Sequence, residues 1–118
     1  MEKIYTSLGL MSGTSMDGVD ASIIKSNGED KYEVVFDEYF KYDEEIYDEL
    51  VDIRNKIYST KDLEINSITL ANIERKITLF HASICREIIN ENAINIDLIG
   101  FHGQTIFHNA NEKISNFK

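Results

Sequence analysis

Apolar positions change period along this chain, and each change marks a new kind of element. Residues 4–11 are β-prone and mostly apolar, and they run into a glycine-rich stretch, which predicts a first strand. Val19, Ala21 and Ile23 then alternate with Asp20 and Ser22, predicting a second strand over 19–26 with one buried face. Asn27-Gly28 is a turn signal, and Tyr32, Val34 and Phe36 alternate again through residue 40. Together these predict a three-stranded antiparallel meander. From Asp43, a candidate helix cap, the period becomes helical, with Ile46, Leu50, Ile53 and Ile57 on one stripe. A polar break at Ser59-Thr60-Lys61-Asp62 precedes the longest helix, 67–92, whose stripe is Leu70, Ile73, Ile77, Ile84 and Ile88. Residues 96–101 form a short, nearly continuous apolar run, as in a strand covered on both faces and reached by a crossover helix. The predicted order is β-β-β-α-α-β, an α/β fold with the fourth strand parallel to the first. Residues 106–118 are weakly patterned and lack a closing cap, so the domain is expected to be interrupted there.

Length and charge narrow the function classes. The 118 residues fit one domain with a real core, and 42% hydrophobic with 28% charged residues is a globular balance. A net charge of -9 disfavours nucleic acid as a partner. Eleven of the 21 carboxylates lie between Glu29 and Asp52, the pattern of a solvated face with helix-start charges. The single cysteine, Cys85, excludes an intrachain disulfide and fits a reducing compartment; its apolar helical surroundings suggest a small buried residue. No apolar run reaches membrane-spanning length and the N-terminus does not resemble a signal peptide, so a cytoplasmic location without membrane partners is expected.

The chemistry concentrates in Gly9–Asp20, GLMSGTSMDGVD, which is expected to form the first hairpin's loop. No charged side chain occurs from Ile4 to Met16, so an anion here would be held by backbone N–H groups and the hydroxyls of Ser12, Thr14 and Ser15. Gly13 permits close backbone approach, and turn amides can converge into an anion-binding nest. Asp17 and Asp20 beside a phosphate would need a divalent cation between them, for which Mg²⁺ is the natural choice. Three residues separate Gly9 from Gly13 and no lysine follows, which excludes the P-loop, and the dinucleotide motif is absent. By composition alone, a phosphate cradle and a ligand-free polar turn both remain open.

The run Gly9–Asp20 resembles the signature of the anhydro-N-acetylmuramic acid kinases, sugar kinases of the actin–hexokinase–Hsp70 superfamily. A second block, Gly100-Phe101-His102-Gly103-Gln104-Thr105-Ile106-Phe107-His108, resembles the same family's H-G-Q-T-x-x-H segment. The resemblance implies a ribonuclease-H-like core, with residues 1–118 being the N-terminal part of the first actin-like ATPase domain and the second domain absent. It implies that Gly13, Thr14, Ser15, Met16, Asp17, Gly18, Val19 and Asp20 bind ATP, with Mg²⁺ accompanying the nucleotide. It places His102, Gly103, Gln104 and Thr105 at the sugar. The implied reaction is ATP-dependent phosphorylation of 1,6-anhydro-N-acetylmuramic acid with hydrolytic opening of the anhydro ring, giving N-acetylmuramic acid 6-phosphate in cell-wall recycling.

Three departures qualify that expectation. Met11 stands where the superfamily carries an aspartate, Asn109-Ala110-Asn111 replaces a segment that often has proline, and family members are much longer. The general-base aspartate is expected beyond residue 118, so no catalytic residue and no protein-held metal are assigned to this chain. It is expected to be inactive alone, as a kinase fragment or as one chain of a two-chain enzyme completed by a C-terminal partner. A non-catalytic nucleotide- or sugar-binding module is the alternative, and exposed sheet surface favours self-association. His102 and His108 lack a third ligand, which favours hydrogen-bonding roles over a metal pair. His81 is read as a packing residue on the long helix, and Tyr32, Phe36, Tyr39 and Phe40 as core and edge filling.

Overall fold

The computed structural model describes residues 3–13 and 15–108. Thr14 and the weakly patterned tail from residue 109 onward, including Asn109-Ala110-Asn111, lie outside the described residues. The chain runs β1 (Tyr5–Ser12), β2 (Gly18–Ser26), β3 (Tyr32–Lys41), α1 (Glu44–Arg54), α2 (Thr60–Ile65), α3 (Ser67–Asn92) and β4 (Leu98–Phe101). The four strands form one mixed sheet in the order β3-β2-β1-β4. β1 and β2 are antiparallel, as are β2 and β3, while β4 lies parallel to β1 with Leu8 opposite Ile99 and Leu10 opposite Phe101. A parallel partner cannot be reached by a tight turn. The chain therefore leaves the sheet at β3, crosses one face as helices, and re-enters beside β1.

Strand alternation decides which residues meet those helices. Thr6, Leu8, Leu10 and Ser12 of β1 point to the helical side with Val19, Ala21 and Ile23 of β2. They pack with Ile46, Leu50 and Ile53 of α1, Ile57 beyond it, and Ile73, Ile77, Ile84 and Ile88 of α3. These are the two helical stripes read from the sequence. Asp43 caps α1 by accepting from the Ile46 N–H at 2.9 Å. Lys76 of α3 bridges Glu45 at 3.0 Å and Glu49 at 2.8 Å, tying the helices together outside the core.

Three expectations need correction. The polar break is an additional short helix, α2, so the order is β-β-β-α-α-α-β. Asp62 reaches back to the Tyr58 and Ser59 N–H groups at 2.9 and 3.1 Å, satisfying donors that a helix start leaves open. The Tyr32–Val34–Phe36 alternation also fails to hold one face. A register shift between Ile23 and Ile24 leaves Val35 unpaired, so Phe36 packs on the core while Val34 and Tyr32 lie exposed. Finally, β4 is not covered on both faces: Leu98, Ile99 and Phe101 are 51%, 50% and 54% exposed. Among the described residues β4 is an edge strand, as is β3, and the helices cover only one side of the sheet.

The start of β4 is pinned by Asp97. Its N–H donates to the Thr6 carbonyl at 2.8 Å, and its carboxylate accepts from the Thr6 N–H at 2.7 Å. Asp97→Ala is expected to cost about 1–3 kcal/mol in urea unfolding, because it strips a part-buried N–H of its acceptor. A loss below about 0.5 kcal/mol would show that this pair does not anchor the edge strand.

Candidate functional site

The hairpin tip between β1 and β2 is held by its own backbone. The Met16 N–H donates to the Gly13 carbonyl at 3.3 Å, closing a tight turn, and the Tyr42 N–H donates to the Asp17 carbonyl at 2.9 Å. Met16 has φ of 60°, the left-handed region that a long side chain rarely occupies, and it is 2% exposed. Its burial in the core offsets the local strain. Gly18 has a steric reason to be glycine: a Cβ there would lie 2.5 Å from the Phe40 carbonyl oxygen and 2.5 Å from the Tyr39 hydroxyl. At Gly13 the nearest such neighbour is Ser15 Oγ at 3.8 Å, so the backbone is open to a ligand.

The expected nucleotide residues divide into two groups. Met16, Gly18 and Val19 are buried, so what they offer a ligand is main chain. Gly13, Ser15, Asp17 and Asp20 are exposed. The Ser15 hydroxyl donates to Asp17 at 2.7 Å. That bond, followed by one from the Tyr39 phenol, holds the Asp17 carboxyl below its ordinary range. Burial, then the hydrogen bond to Asp17, pushes the Tyr39 phenol up to about 12, and the charge of Asp20 adds to the shift. Tyr39 thus stands between the two carboxylates; it pairs across the strands with Asp20, which in turn pairs with Met11. Asp20 therefore supplies a carboxylate directly beside Met11.

Sequence reasoning missed Tyr39 and Lys41 as site residues. Lys41 pairs with Gly18 and lines, with Asp17 and Tyr42, a cleft of about 680 Å³ beside the tip. The register of a third strand brings them there, which the motif could not show. Among the described residues no group of three or more His, Cys, Asp or Glu side chains is placed to hold a metal. Asp17 and Asp20 could still complete the coordination of a cation that arrives with phosphate oxygens.

The second block follows β4. The His102 N–H donates to the Leu10 carbonyl at 3.1 Å, continuing the β1–β4 ladder. Its imidazole is exposed, with Nδ1 3.0 Å from the Gly103 carbonyl, and lines a shallow depression with Asp20, Gly9 and Gly100. Gly103 takes a left-handed φ of 84°, which turns the chain toward the hairpin. The Gln104 amide then donates to the Gly13 carbonyl at 2.7 Å and to the Thr105 carbonyl at 3.1 Å. The two blocks, far apart in sequence, thus touch through Gln104 and Gly13, and they share a depression through Asp20 and His102.

Behind this contact lies a buried polar chain. The Tyr42 hydroxyl donates to Gln104 Oε1 at 3.1 Å and lies 3.1 Å from Ser12 Oγ, which is 3.2 Å from His81 Nε2. His81 is 3% exposed, with Nδ1 2.8 Å from the Ile77 carbonyl; burial holds its imidazole below the ordinary value, partly offset by that carbonyl. His81 also meets Phe101 edge-on at 4.6 Å. Its role is thus polar as well as packing. Cys85 is half-buried, and burial raises its thiol, which suits a packing residue.

The structure is thus of the α/β class, with two polar segments brought together at adjacent strand ends. The family model for anhydro-N-acetylmuramic acid kinase matches residues 5–117. The chain belongs to the anhydro-N-acetylmuramic acid kinase family. It is 65% identical over 115 residues to the protein of that name from Pelagibacter ubique (strain HTCC1062), covering 98% of this chain and 31% of the relative. It is 32% identical over 118 residues to the Agrobacterium fabrum (strain C58 / ATCC 33970) protein of that name, covering 98% of this chain and 32% of the relative. The Brucella canis (strain ATCC 23365 / NCTC 10854 / RM-666) protein is 34% identical over 122 residues, with the same two coverages. The chain spans about a third of the length of these curated relatives. Among the described residues, no helix is long and apolar enough to cross a membrane.

The contrast between the glycines is testable. Gly18→Ala is expected to destabilise the fold by about 1–3 kcal/mol, because backbone must move to admit the methyl group. Gly13→Ala should stay within about 0.5 kcal/mol of wild type in the same urea unfolding series. Equal losses at both positions would contradict the assignment of Gly18 to packing and Gly13 to open backbone.

Proposed function

We propose that this chain provides the phosphate-side wall and part of the sugar-side wall of an ATP-dependent anhydro-N-acetylmuramic acid kinase. The observation that carries the reading is the Gln104 contact with the Gly13 carbonyl, which makes one surface of the two family blocks. In this reading the domain is the first half of a ribonuclease-H-like, actin-like ATPase fold, located in the cytoplasm. Backbone N–H groups of 13–18 and the hydroxyls of Thr14 and Ser15 receive the ATP phosphates. Mg²⁺ would neutralise phosphate charge when bound, and Asp17 and Asp20 are the residues that fit it. His102, Gly103, Gln104 and Thr105 face 1,6-anhydro-N-acetylmuramic acid, which becomes N-acetylmuramic acid 6-phosphate as the anhydro ring opens.

The base that activates water is assigned outside this chain. Asp17 and Asp20 lie on the phosphate side, and Asp17 is engaged by Ser15 and Tyr39. Proton removal in the transition state needs a group within hydrogen-bond reach of the attacking oxygen. Phosphoryl transfer also depends on positioning and charge stabilisation from both sides of the cleft. The remaining two-thirds of the relatives' length would supply these parts, in the same polypeptide or as a complementing chain.

Calorimetric titration of MgATP tests the loop. Gly13→Val should abolish binding while the chain stays folded, and Asp20→Asn should remove most of the Mg²⁺ dependence. A radiolabelled phosphate-transfer assay tests the division of labour. The 118-residue chain alone should show no turnover, with activity appearing when the relatives' C-terminal segment is added. Turnover by the chain alone would place the base within it. Nucleotide binding without turnover in the complemented assay would favour a non-catalytic module.

A further inference from the structure

The chain His81–Ser12–Tyr42–Gln104 can be followed proton by proton. His81 Nδ1 faces the Ile77 carbonyl, which only accepts, so Nδ1 carries a hydrogen. In the neutral imidazole Nε2 is then bare, and the Ser12 hydroxyl must donate to it. At the other end, the Gln104 nitrogen faces the Gly13 and Thr105 carbonyls, so Oε1 is turned toward Tyr42. The phenol therefore has two neighbouring acceptors, Ser12 Oγ and Gln104 Oε1, each at 3.1 Å, and a single proton. With neutral His81, three contacts share two protons. A proton on His81 Nε2 completes the series, each group donating to the next, from Nε2 through Ser12 and Tyr42 to Gln104.

We propose that His81 and Tyr42 are positioning residues which, through Ser12, set the orientation and firmness of the Gln104 amide and so tie the sugar-side segment to the phosphate-side turn. The proposal rests on reading those two segments as one ligand surface. The nitrogen is held by the exposed Gly13 carbonyl and Oε1 faces the part-buried Tyr42 hydroxyl, so what Gln104 can still offer a ligand is the second lone pair of Oε1, whose complement is a donor: a sugar hydroxyl or an amide N–H. When Tyr42 donates to Ser12, that oxygen is free to accept; when Tyr42 donates to Gln104, it is partly occupied. His81 thereby influences a ligand-facing group from behind β1, without touching the ligand itself.

Other titratable groups lie nearby. Cys85 stands four residues along α3, and Asp17, Lys41, Glu44 and Asp48 line the cleft on the outer side of Tyr42. His102 is two residues from Gln104. The test must therefore be specific to His81. Tyr42 packs edge-on against Phe80 with ring centroids 5.0 Å apart, a contact that Tyr42→Phe retains.

The experiment is NMR of the 118-residue chain, following each histidine ring and the Gln104 side-chain amide against pH. Neutral His81 is expected as the Nδ1–H tautomer. The Gln104 amide should shift with the His81 midpoint, below the ordinary imidazole value, independently of the midpoints of His102 and His108. Ser12→Ala and Tyr42→Phe should each abolish that response while the His81 ring still titrates, an outcome that packing alone would not give. A neutral Nε2–H tautomer, a Gln104 amide indifferent to His81 in wild type, or an undiminished response in both variants would overturn the relay. MgATP added to the same sample separates the two claims. Failure of the residue 13–18 amides to move with nucleotide would sink the ligand reading and leave the relay to stand or fall on the titration.

Discussion

The candidate site depends on the parallel pairing of β4 with β1. Among the described residues, β1 is the only strand bonded to both of its neighbours in opposite senses, β2 antiparallel and β4 parallel. Parallel strands end on the same side, so the hairpin tip after β1 and the turn after β4 emerge together. Asp97 at Thr6 starts this ladder and His102 at Leu10 ends it. Gly103 then directs Gln104 onto Gly13. A slip of β4 by one residue would exchange its faces and carry His102 and Gln104 away from their partners.

The hairpin solves a conflict between packing and exposure. Its tip must present bare backbone, yet the same few residues must anchor it. The sequence alternates the two tasks: Met16 and Val19 enter the core, Gly18 yields space to Phe40 and Tyr39, and Gly13, Ser15, Asp17 and Asp20 face outward. On the core side, Ser12 would be a buried hydroxyl at the end of β1, next to the apolar Leu8 and Leu10. His81 and Tyr42 satisfy it, and the described residues contain no buried side-chain polar atom without a partner. A polar chain running from α3 to the turn after β4 is the consequence.

Much of the fold was legible because its elements are strongly periodic. The stripe from Ile73 to Ile88 and the alternation in β2 translate directly into buried faces. The readings that failed depended on partners. Ser59 and Asp62 look like a loop until their side chains are seen closing a helix start, and Val34 changes face because of a register shift involving β2. Full apolarity in β4 suggested cover on both sides, but apolar pattern does not report whether the covering element is present. At the site, Gly13, Asp20 and Gln104 could be read from motif resemblance. Tyr39, Lys41, Tyr42 and His81 could not, because only strand register and helix packing bring them to it. His81 in particular sits on an apolar stripe, where sequence gives the same signal for packing as for a buried hydrogen bond.

The claim that two distant segments make one ligand surface is tested most directly by a paramagnetic probe. With Mn²⁺ replacing Mg²⁺ in complex with ATP, relaxation of backbone amides reports which residues lie near the metal. The expected result is concerted broadening of the amides at Ser15–Asp20 and at His102–Gln104, with β3 residues near Tyr32 unaffected. Broadening confined to the hairpin, with residues 102–104 unchanged, would contradict a shared surface.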